Sequence, residues 1–225
     1  MKNPPTGGRA DTTRRQILLA AAQQFAQRAY HDVGLDDILA QAELTKGAMY
    51  FHFRSKHALA MAIIDEHILM SNAAFDELIA RKLSGLETLI DSAFVVAVMD
   101  LEEDLTRAGM HLVEAVGRVE ALHEKLLGSW IDVLASAVED AIAEGDLAED
   151  CSPQDVGRLV VSVYMGLRQT SDLNSPERFL RDLEKSWVLL LTGILQPDRA
   201  DYFKQFITRR TARAISAASA TPAPD

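Results

Sequence analysis

The first third of the chain consists of three short segments in which apolar residues recur at helical spacing. The first follows Asp11, a residue type that caps helices, and its apolar positions are Ile17, Leu18, Ala21, Ala22 and Phe25. The second spans residues 35–41 and opens with Asp36 and Asp37, where acids suit the helix dipole. The third starts near Thr45 after a tight turn. Three helices with a tight turn before the third predict a helix-turn-helix.

Longer amphipathic segments, separated by Gly, Ser and Pro, make up the rest of the chain. We predict helices over residues 56–82, 86–103, 105–116, 120–145, 153–171, 176–195 and 198–214. No segment alternates apolar and polar residues with period two, so no sheet is expected and the fold class is all-α. The predicted organisation is a flexible arm (1–10), a helix-turn-helix domain (11–55), a larger helical domain (56–214) and a disordered tail (215–225).

The third short segment carries side chains suited to a nucleic-acid surface. Wound at about 100° per residue, it has one apolar face, made of Leu44, Ala48 and Phe51. The opposite, outward arc holds Thr45, Lys46, Met49 and Tyr50. Hydroxyl, ammonium and phenol groups contact phosphates and base edges in a major groove. The alternative is that the aromatic run after Met49 is ordinary core. We assign Phe51 to the core, and Lys46 and Tyr50 to binding.

Charge is distributed unevenly along a chain whose formal net charge is −10. Residues 1–60 hold eight Lys and Arg against five Asp and Glu, a balance of +3, which leaves −13 for the remainder. The basic end can face phosphate while the acidic body repels it, so overall acidity does not exclude a DNA ligand.

Other features bound the class of protein. The one cysteine, Cys151, cannot form an internal disulfide, which fits a reducing cytoplasm; we favour an inert thiol over a redox sensor. Residues 1–10 contain no apolar secretory core, and no run of about eighteen apolar residues predicts a membrane span. No phosphate-binding glycine loop, metal-spaced histidine pair or nucleophile elbow is present, so we expect no enzyme, cofactor or metal. The acidic run 100–104 is expected to be a solvated face.

The stretch Thr-Lys-Gly-Ala-Met-Tyr-Phe-His-Phe at 45–53, followed by Ser55-Lys56, resembles the DNA-binding signature of the tetracycline-repressor (TetR) family. Its Tyr-Phe-His-Phe form is most similar to the γ-butyrolactone receptors of actinomycetes, and segments 107–112, 143–147 and 160–171 are similar in order and spacing. The resemblance covers roughly residues 12–195. It implies DNA contacts at Thr45, Lys46, Gly47, Tyr50, His52 and Lys56, with Arg14 and Arg15 as weaker candidates for minor-groove or backbone contacts. Gly34 departs from the Thr or Ser that usually caps the second helix, which weakens that cap.

The same resemblance implies a ligand pocket in the larger domain, in which Trp130 contacts the ligand. Trp130 offers a broad apolar wall for a lactone with an alkyl chain, although core packing explains it nearly as well. Further candidates are Ser162, Met165 and Gln169 on one side of their helix, and Met70, Met99, Met110 and His67. For the methionines other than Met165 core filling is the favoured alternative, and for His67 a locally satisfied side chain.

Family resemblance also implies a homodimer joined by a four-helix bundle, with an interface at Leu167, Trp187, Leu190, Leu191 and Ile194 and a contribution from Met165. A twofold dimer would place two recognition helices about 34–36 Å apart, which matches a palindromic operator in double-stranded DNA. We therefore expect a cytoplasmic repressor released by a small apolar signal of the γ-butyrolactone or butenolide type. One alternative is a multidrug-type repressor of an efflux gene. A second, from another class, is a helical carrier or partner-binding protein that does not bind DNA.

Overall fold

The computed structural model describes residues 6–116 and 122–220, and it is built of α-helices. The ten helices of this part of the chain are α1 (Thr6–Gln27), α2 (Leu35–Ala42), α3 (Lys46–His52), α4 (Lys56–Ala80), α5 (Gly85–Glu102), α6 (Asp104–Val116), α7 (Leu122–Ala143), α8 (Pro153–Thr170), α9 (Pro176–Leu191) and α10 (Ala200–Ala220). Short 3-10 turns cover Tyr30–Asp32 and Pro197–Arg199. Within these residues the only β-type pairing is one isolated bridge between Leu147 and Leu195. The predicted all-α fold class is confirmed.

The helices extend further at both termini than the sequence pattern indicated. Helix α1 begins at Thr6, inside the stretch expected to be a flexible arm, and α10 continues to Ala220, inside the expected tail. Gly7 and Gly8 each weaken a helix by only about 1 kcal/mol and do not stop it, and the Ala-rich end of α10 has high helix propensity. The remaining parts of the arm (1–5) and tail (221–225) lie outside the described residues.

Contacts divide the chain into two compact units: unit one comprises residues up to 71 together with 103–123, and unit two comprises 72–102 together with 124 onward. Helix α4 crosses the division, so its first part belongs to unit one and its last turns belong to unit two.

Unit one is a core of α1, α4 and α6 that carries α2 and α3. Its fully buried side chains include Ile17, Phe25, Ile38, Leu59, Ile63 and Ile64. Helices α4 and α6 approach closely, because a Cβ added at Gly109 would lie 2.4 Å from the Cβ of His67. Helix α6 also meets α1, where His111 Nδ1 lies 3.2 Å from the carbonyl oxygen of Phe25. The helix-turn-helix therefore rests on a closely packed three-helix support.

Unit two packs α5, α7, α8, α9 and α10 around Phe94, Phe179, Phe203 and Ile207. Helix α5 begins so close to α7 that a Cβ at Gly85 would lie 2.3 Å from the backbone nitrogen of Ala141. The buried Asp91 of α5 accepts from Arg81 at 2.8 Å and also pairs with Arg210 of α10. Apolar contacts and this ion pair together fix α10 onto the unit.

Among the described helices, α4 is long and apolar enough to cross a membrane by length and composition alone. Leu59, Ile63 and Ile64 of this helix are fully buried in unit one. A core helix of a soluble protein has the same length and composition, so this property is weak evidence for a membrane span.

Candidate nucleic-acid interface

Helix α2 starts without a side-chain cap, as Gly34 at its N-cap predicted, but a neighbouring acid compensates. The Asp37 carboxylate accepts from the backbone N–H of Gly34 at 3.1 Å. Arg28, which directly follows α1, donates to the same oxygen at 2.9 Å. These two donors, Gly34 first, hold the pKa of Asp37 below its usual value. Asp37 therefore replaces part of the missing cap and joins α2 to α1.

The turn between α2 and α3 depends on a left-handed residue that is not glycine. Glu43 has φ 53°, and its N–H donates to the carbonyl of Ala40 at 3.3 Å. The N–H of Leu44 donates to the carbonyl of Leu39 at 3.1 Å. Thr45 then caps α3, because its Oγ1 accepts from the N–H of Ala48 at 3.3 Å. The Thr45 hydroxyl keeps its own hydrogen for donation to a partner.

The buried face of α3 differs from the one predicted. Met49, expected outward, is fully buried, whereas Phe51, expected in the core, is 79% exposed. Phe53 is also buried and Ala48 and His52 are half-buried, so these residues and Met49 make up the inner side of this segment. The error arose because α3 starts at Lys46, and in a seven-residue helix a small shift of phase exchanges neighbouring positions. Phe51 is thus an exposed aromatic that the sequence interpretation missed.

The outward surface of α3 consists of Lys46, Gly47, Tyr50 and Phe51. Tyr50 is 53% exposed and its phenol is accessible to a partner. A Cβ at Gly47 would have no neighbour nearer than 3.9 Å, so this glycine leaves the backbone open to close approach. Lys46 Nζ lies 2.7 Å from Asp36 Oδ1 of α2, and this hydrogen bond raises the pKa of the lysine. The surface offers a cation, a phenol and an apolar ring side by side.

Lys56, predicted to contact DNA, makes two internal hydrogen bonds. Its ammonium donates to the carbonyls of Tyr30 at 2.8 Å and Val33 at 2.9 Å, and it lies 4.4 Å from the centre of the Tyr30 ring. The start of α4 is therefore tied to the loop before α2, and a three-donor ammonium retains one N–H beyond these bonds. Burial raises the pKa of the Tyr30 phenol.

The remaining predicted DNA contacts lie in unit one around the same helices. Arg14 and Arg15 are exposed on α1, and the Arg14 guanidinium lies 5.2 Å from the centre of the Phe53 ring. His52 is half-buried, and its ring meets Phe51 edge to face with centroids 5.0 Å apart. His52 supports the position of Phe51 as well as being a candidate contact.

The residues predicted to line a ligand pocket divide between the two units. In unit one, His67 and Met110 are buried and Met70 is half-buried. In unit two, Trp130 on α7 and Met99 on α5 are half-buried.

The α8 candidates for the pocket largely face outward. Ser162 and Gln169 are exposed and Met165 is half-buried, and the Ser162 hydroxyl donates to the carbonyl of Arg158 at 2.8 Å. The inward face of α8 is instead made of Val156, Val160, Val161, Tyr164 and Arg168. The spacing of Ser162, Met165 and Gln169 did not reveal this inward face, because the partner that holds Arg168 inside lies far away along the chain.

That partner is Asp100, which the sequence placed on a solvated acidic face and which is 0% exposed. Arg168 Nε donates to Asp100 Oδ2 at 2.6 Å and Nη2 donates to Oδ1 at 3.2 Å. The Tyr164 hydroxyl donates to Oδ2 at 3.1 Å. Burial, and then the Asp100 charge, raise the pKa of Tyr164 well above its ordinary value, so the phenol stays protonated. A satisfied buried ion pair joins α5 to α8.

Two of the residues predicted at a dimer interface are core residues of their own unit. Trp187 and Leu191 are 3% and 4% exposed, because they pack inward from α9, while Leu167, Leu190 and Ile194 are half-buried. Val188 of α9 is 36% exposed, and the two most exposed apolar side chains of these helices are Leu159 on α8 and Leu189 on α9. Helical spacing puts each of them opposite its helix's buried side.

Cys151 has the environment of an unreactive thiol. It is half-buried, and burial is the main cause that raises its pKa above the ordinary value. A thiol that remains protonated is a poor nucleophile, which supports the inert interpretation.

Comparison with protein families gives two matches that together span both units. Residues 17–63 match the bacterial regulatory proteins of the tetR family, and residues 83–196 match the tetracyclin repressor-like C-terminal domain. The first match contains the whole helix-turn-helix, including α3.

Individual relatives include the A-factor receptor protein of Streptomyces griseus, 31% identical over 190 residues, which are 84% of this chain and 66% of that protein's length. The HTH-type transcriptional repressor BepR of Brucella suis is 29% identical over 171 residues, 72% of this chain and 81% of BepR.

Among solved structures, a gamma-butyrolactone receptor described as ArpA-like superposes with a TM-score of 0.80 and 30% identity, over 91% of this chain and 99% of the other. CprB of Streptomyces coelicolor, in complex with its biological operator sequence, superposes with a TM-score of 0.78 at 30% identity and the same coverage.

Proposed function

Since this chain belongs to the TetR family of bacterial regulatory proteins, we propose that it is a homodimeric transcriptional repressor that binds a palindromic operator and is released by a γ-butyrolactone or butenolide signal. The observation that carries the proposal is the α3 surface, on which Lys46, Tyr50 and Phe51 are exposed together while Met49 anchors the helix from beneath. A charged, a hydrogen-bonding and an apolar group match phosphate oxygens, base edges and thymine methyl groups respectively. The operator-bound CprB structure, with a similar fold, supports DNA as the ligand.

The signal is proposed from the relatives and from Trp130. A relative named for A-factor and structures named as gamma-butyrolactone receptors are similar to this chain over most of its length. Trp130 is half-buried on α7, where its ring can supply apolar area to an alkyl-substituted lactone. A response restricted to lactones and butenolides supports this proposal, whereas a response to many drugs and dyes would favour the multidrug-type repressor.

Release of DNA requires the signal to favour a second arrangement of the two recognition helices in the dimer. Changing a two-state population from 1:99 to 99:1 takes about 5.5 kcal/mol of differential affinity. Helix α4 is the continuous element available to transmit the effect of the signal to the recognition helix. Leu59 of this helix is buried in unit one and Leu78 is buried in unit two. We assign α4 the coupling role.

The direct test measures fluorescence anisotropy of palindromic duplexes taken from the region upstream of the gene. We expect Lys46→Ala to weaken operator binding at least tenfold and Tyr50→Phe to weaken it a few-fold. Each substitution removes a DNA contact that contributes about 1 kcal/mol or more. Lys125→Ala, which removes the same charge from an exposed position of α7, is the matched control and should bind normally. Wild-type affinity should fall steeply with salt.

Trp130→Ala should keep operator affinity and lose release by the lactone, which separates the two activities. Failure of the wild type to bind any such duplex at low salt, while it still bound a small apolar molecule, would identify a carrier instead of a repressor. Loss of both activities in every variant would show misfolding, and circular dichroism of each variant checks for it.

A further inference from the structure

The most accessible cation of α3 is paired within the protein. Lys46 Nζ and Asp36 Oδ1 lie 2.7 Å apart, and the two side chains are 67% and 73% exposed. Asp36 lies in the first turn of α2 and Lys46 in the first turn of α3, so the pair bridges the two helices of the helix-turn-helix. Any DNA phosphate that approaches Lys46 meets an ammonium that already has an anionic partner.

The two adjacent acids of α2 have different roles. Asp37 is held by the backbone of Gly34 and by Arg28, at 3.1 and 2.9 Å, and so belongs to the support of α2. Asp36 instead pairs with Lys46 of α3, and both residues line a surface groove together with Leu39 and Tyr50. Beyond its first-turn charge, which suits the helix dipole of α2, the Asp36 carboxylate makes its contact with the exposed Lys46, so the pairing bears mainly on the outer surface of the helix-turn-helix.

We infer that Asp36 is a specificity-determining residue: its carboxylate competes with DNA phosphate for Lys46, which lowers affinity for non-operator DNA more than affinity for the operator. This inference rests on the proposed function. On non-operator DNA, Lys46 has only a phosphate to gain, and exchanging one oxyanion for another brings little. On the operator, the other contacts fix the helix so that Lys46 can keep Asp36 as one partner and give its other N–H groups to a base edge, such as the uncharged O6 and N7 acceptors of guanine, which Asp36 does not repel.

The size of the effect follows from the exposure of the pair. Solvated ion pairs shift an equilibrium by only about two- to fivefold. A change of this size is small for one complex, but it multiplies over the many non-operator sites that compete with an operator.

The experiment compares Asp36→Asn with the wild type on an operator duplex and on a scrambled duplex of the same length and base composition. We expect the scrambled duplex to bind about two- to fivefold more tightly and the operator to change less than twofold, so that discrimination falls. The plot of log affinity against log salt for the scrambled duplex should steepen by about 0.9, the value for one additional phosphate contact. Asp65→Asn removes the same charge from an exposed position of α4 and should change neither duplex.

A second pair of variants tests whether Asp36 acts through Lys46. In a Lys46→Ala background, Asp36→Asn should leave the affinity for the scrambled duplex unchanged. If the same tightening persisted there, or if Asp65→Asn produced it as well, the effect would be general charge repulsion and the inference would be wrong. Unchanged discrimination in Asp36→Asn, in a protein whose wild type distinguishes operator from scrambled DNA, would refute the role of Asp36 alone. A wild type that binds neither duplex would instead refute the proposed function.

Discussion

At the scale of single residues, the turn before the recognition helix depends on an unfavourable backbone conformation. Glu43 has φ 53°, in the left-handed region where a residue with a Cβ costs about 1–2 kcal/mol relative to the right-handed region. The hydrogen bonds of Glu43 and Leu44 to the end of α2 hold it there. The turn before α3 therefore carries a conformational cost that a glycine at position 43 would remove.

We expect Glu43→Gly to stabilise the protein by about 0.5–1 kcal/mol. Glycine adopts the left-handed conformation without the steric cost, and this gain in free energy exceeds the loss caused by the greater entropy of the unfolded chain. Chemical denaturation followed by circular dichroism measures the change. Ala40→Gly, at an exposed position inside α2, is the control and should destabilise by about 1 kcal/mol. Equal destabilisation by both substitutions would show that the turn is not strained at Glu43.

Single residues are also where sequence-based prediction was least accurate. Composition and spacing identified Lys46 and Tyr50 as exposed groups, but Met49 and Phe51 were exchanged because a seven-residue helix has too few turns to define its phase. Asp100 was misplaced for a different reason. Its cation, Arg168, is 68 positions away along the chain, and no local pattern reveals such a pairing.

At the scale of helices, periodicity and punctuation located α2 to α9 correctly, since Gly, Ser and Pro mark most of their ends. What periodicity did not supply is which face of a helix meets which neighbour. On α8 the decisive interaction is the buried ion pair to α5, in which Arg168 and Asp100 are 1% and 0% exposed in their side chains. Such a pair costs desolvation of both ions, so it contributes alignment of the two helices more than net stability.

Removing one ion of this pair should be far more damaging than removing both. We expect Arg168→Met to destabilise the protein by about 3–5 kcal/mol, because the buried Asp100 carboxylate loses its cation. The double variant Asp100→Asn/Arg168→Met should recover part of that loss. Arg181→Met breaks an exposed pair with Glu177, at 3.0 Å, and should cost no more than about 1 kcal/mol. Urea unfolding curves of the wild type and these three variants provide the comparison, and a double variant no more stable than Arg168→Met would contradict an interaction between the two ions.

At the scale of the whole molecule, the proposed repressor of a palindrome would need a second copy, and unit two presents a surface suited to one. Leu189 of α9 is 75% exposed and Leu159 of α8 is 47% exposed. Both lie opposite the buried sides of helices that pack against each other. Two such helices from each protomer can form a four-helix bundle with these leucines inside it.

A charge placed on this surface should therefore separate the protomers. We expect Leu189→Lys to be monomeric at micromolar concentration in sedimentation velocity, because the bundle would have to bury two unpaired ammonium groups. Val133→Lys makes the same change at an exposed position of α7 and should sediment as the wild type does. The monomer should also bind the operator at least two orders of magnitude more weakly, since one recognition helix then binds without the second. This loss corresponds to a binding free energy of roughly 2.7 kcal/mol or more. A Leu189→Lys protein that still sedimented as a dimer would locate the interface elsewhere. A stable monomer with full operator affinity would show that binding does not require the twofold pair.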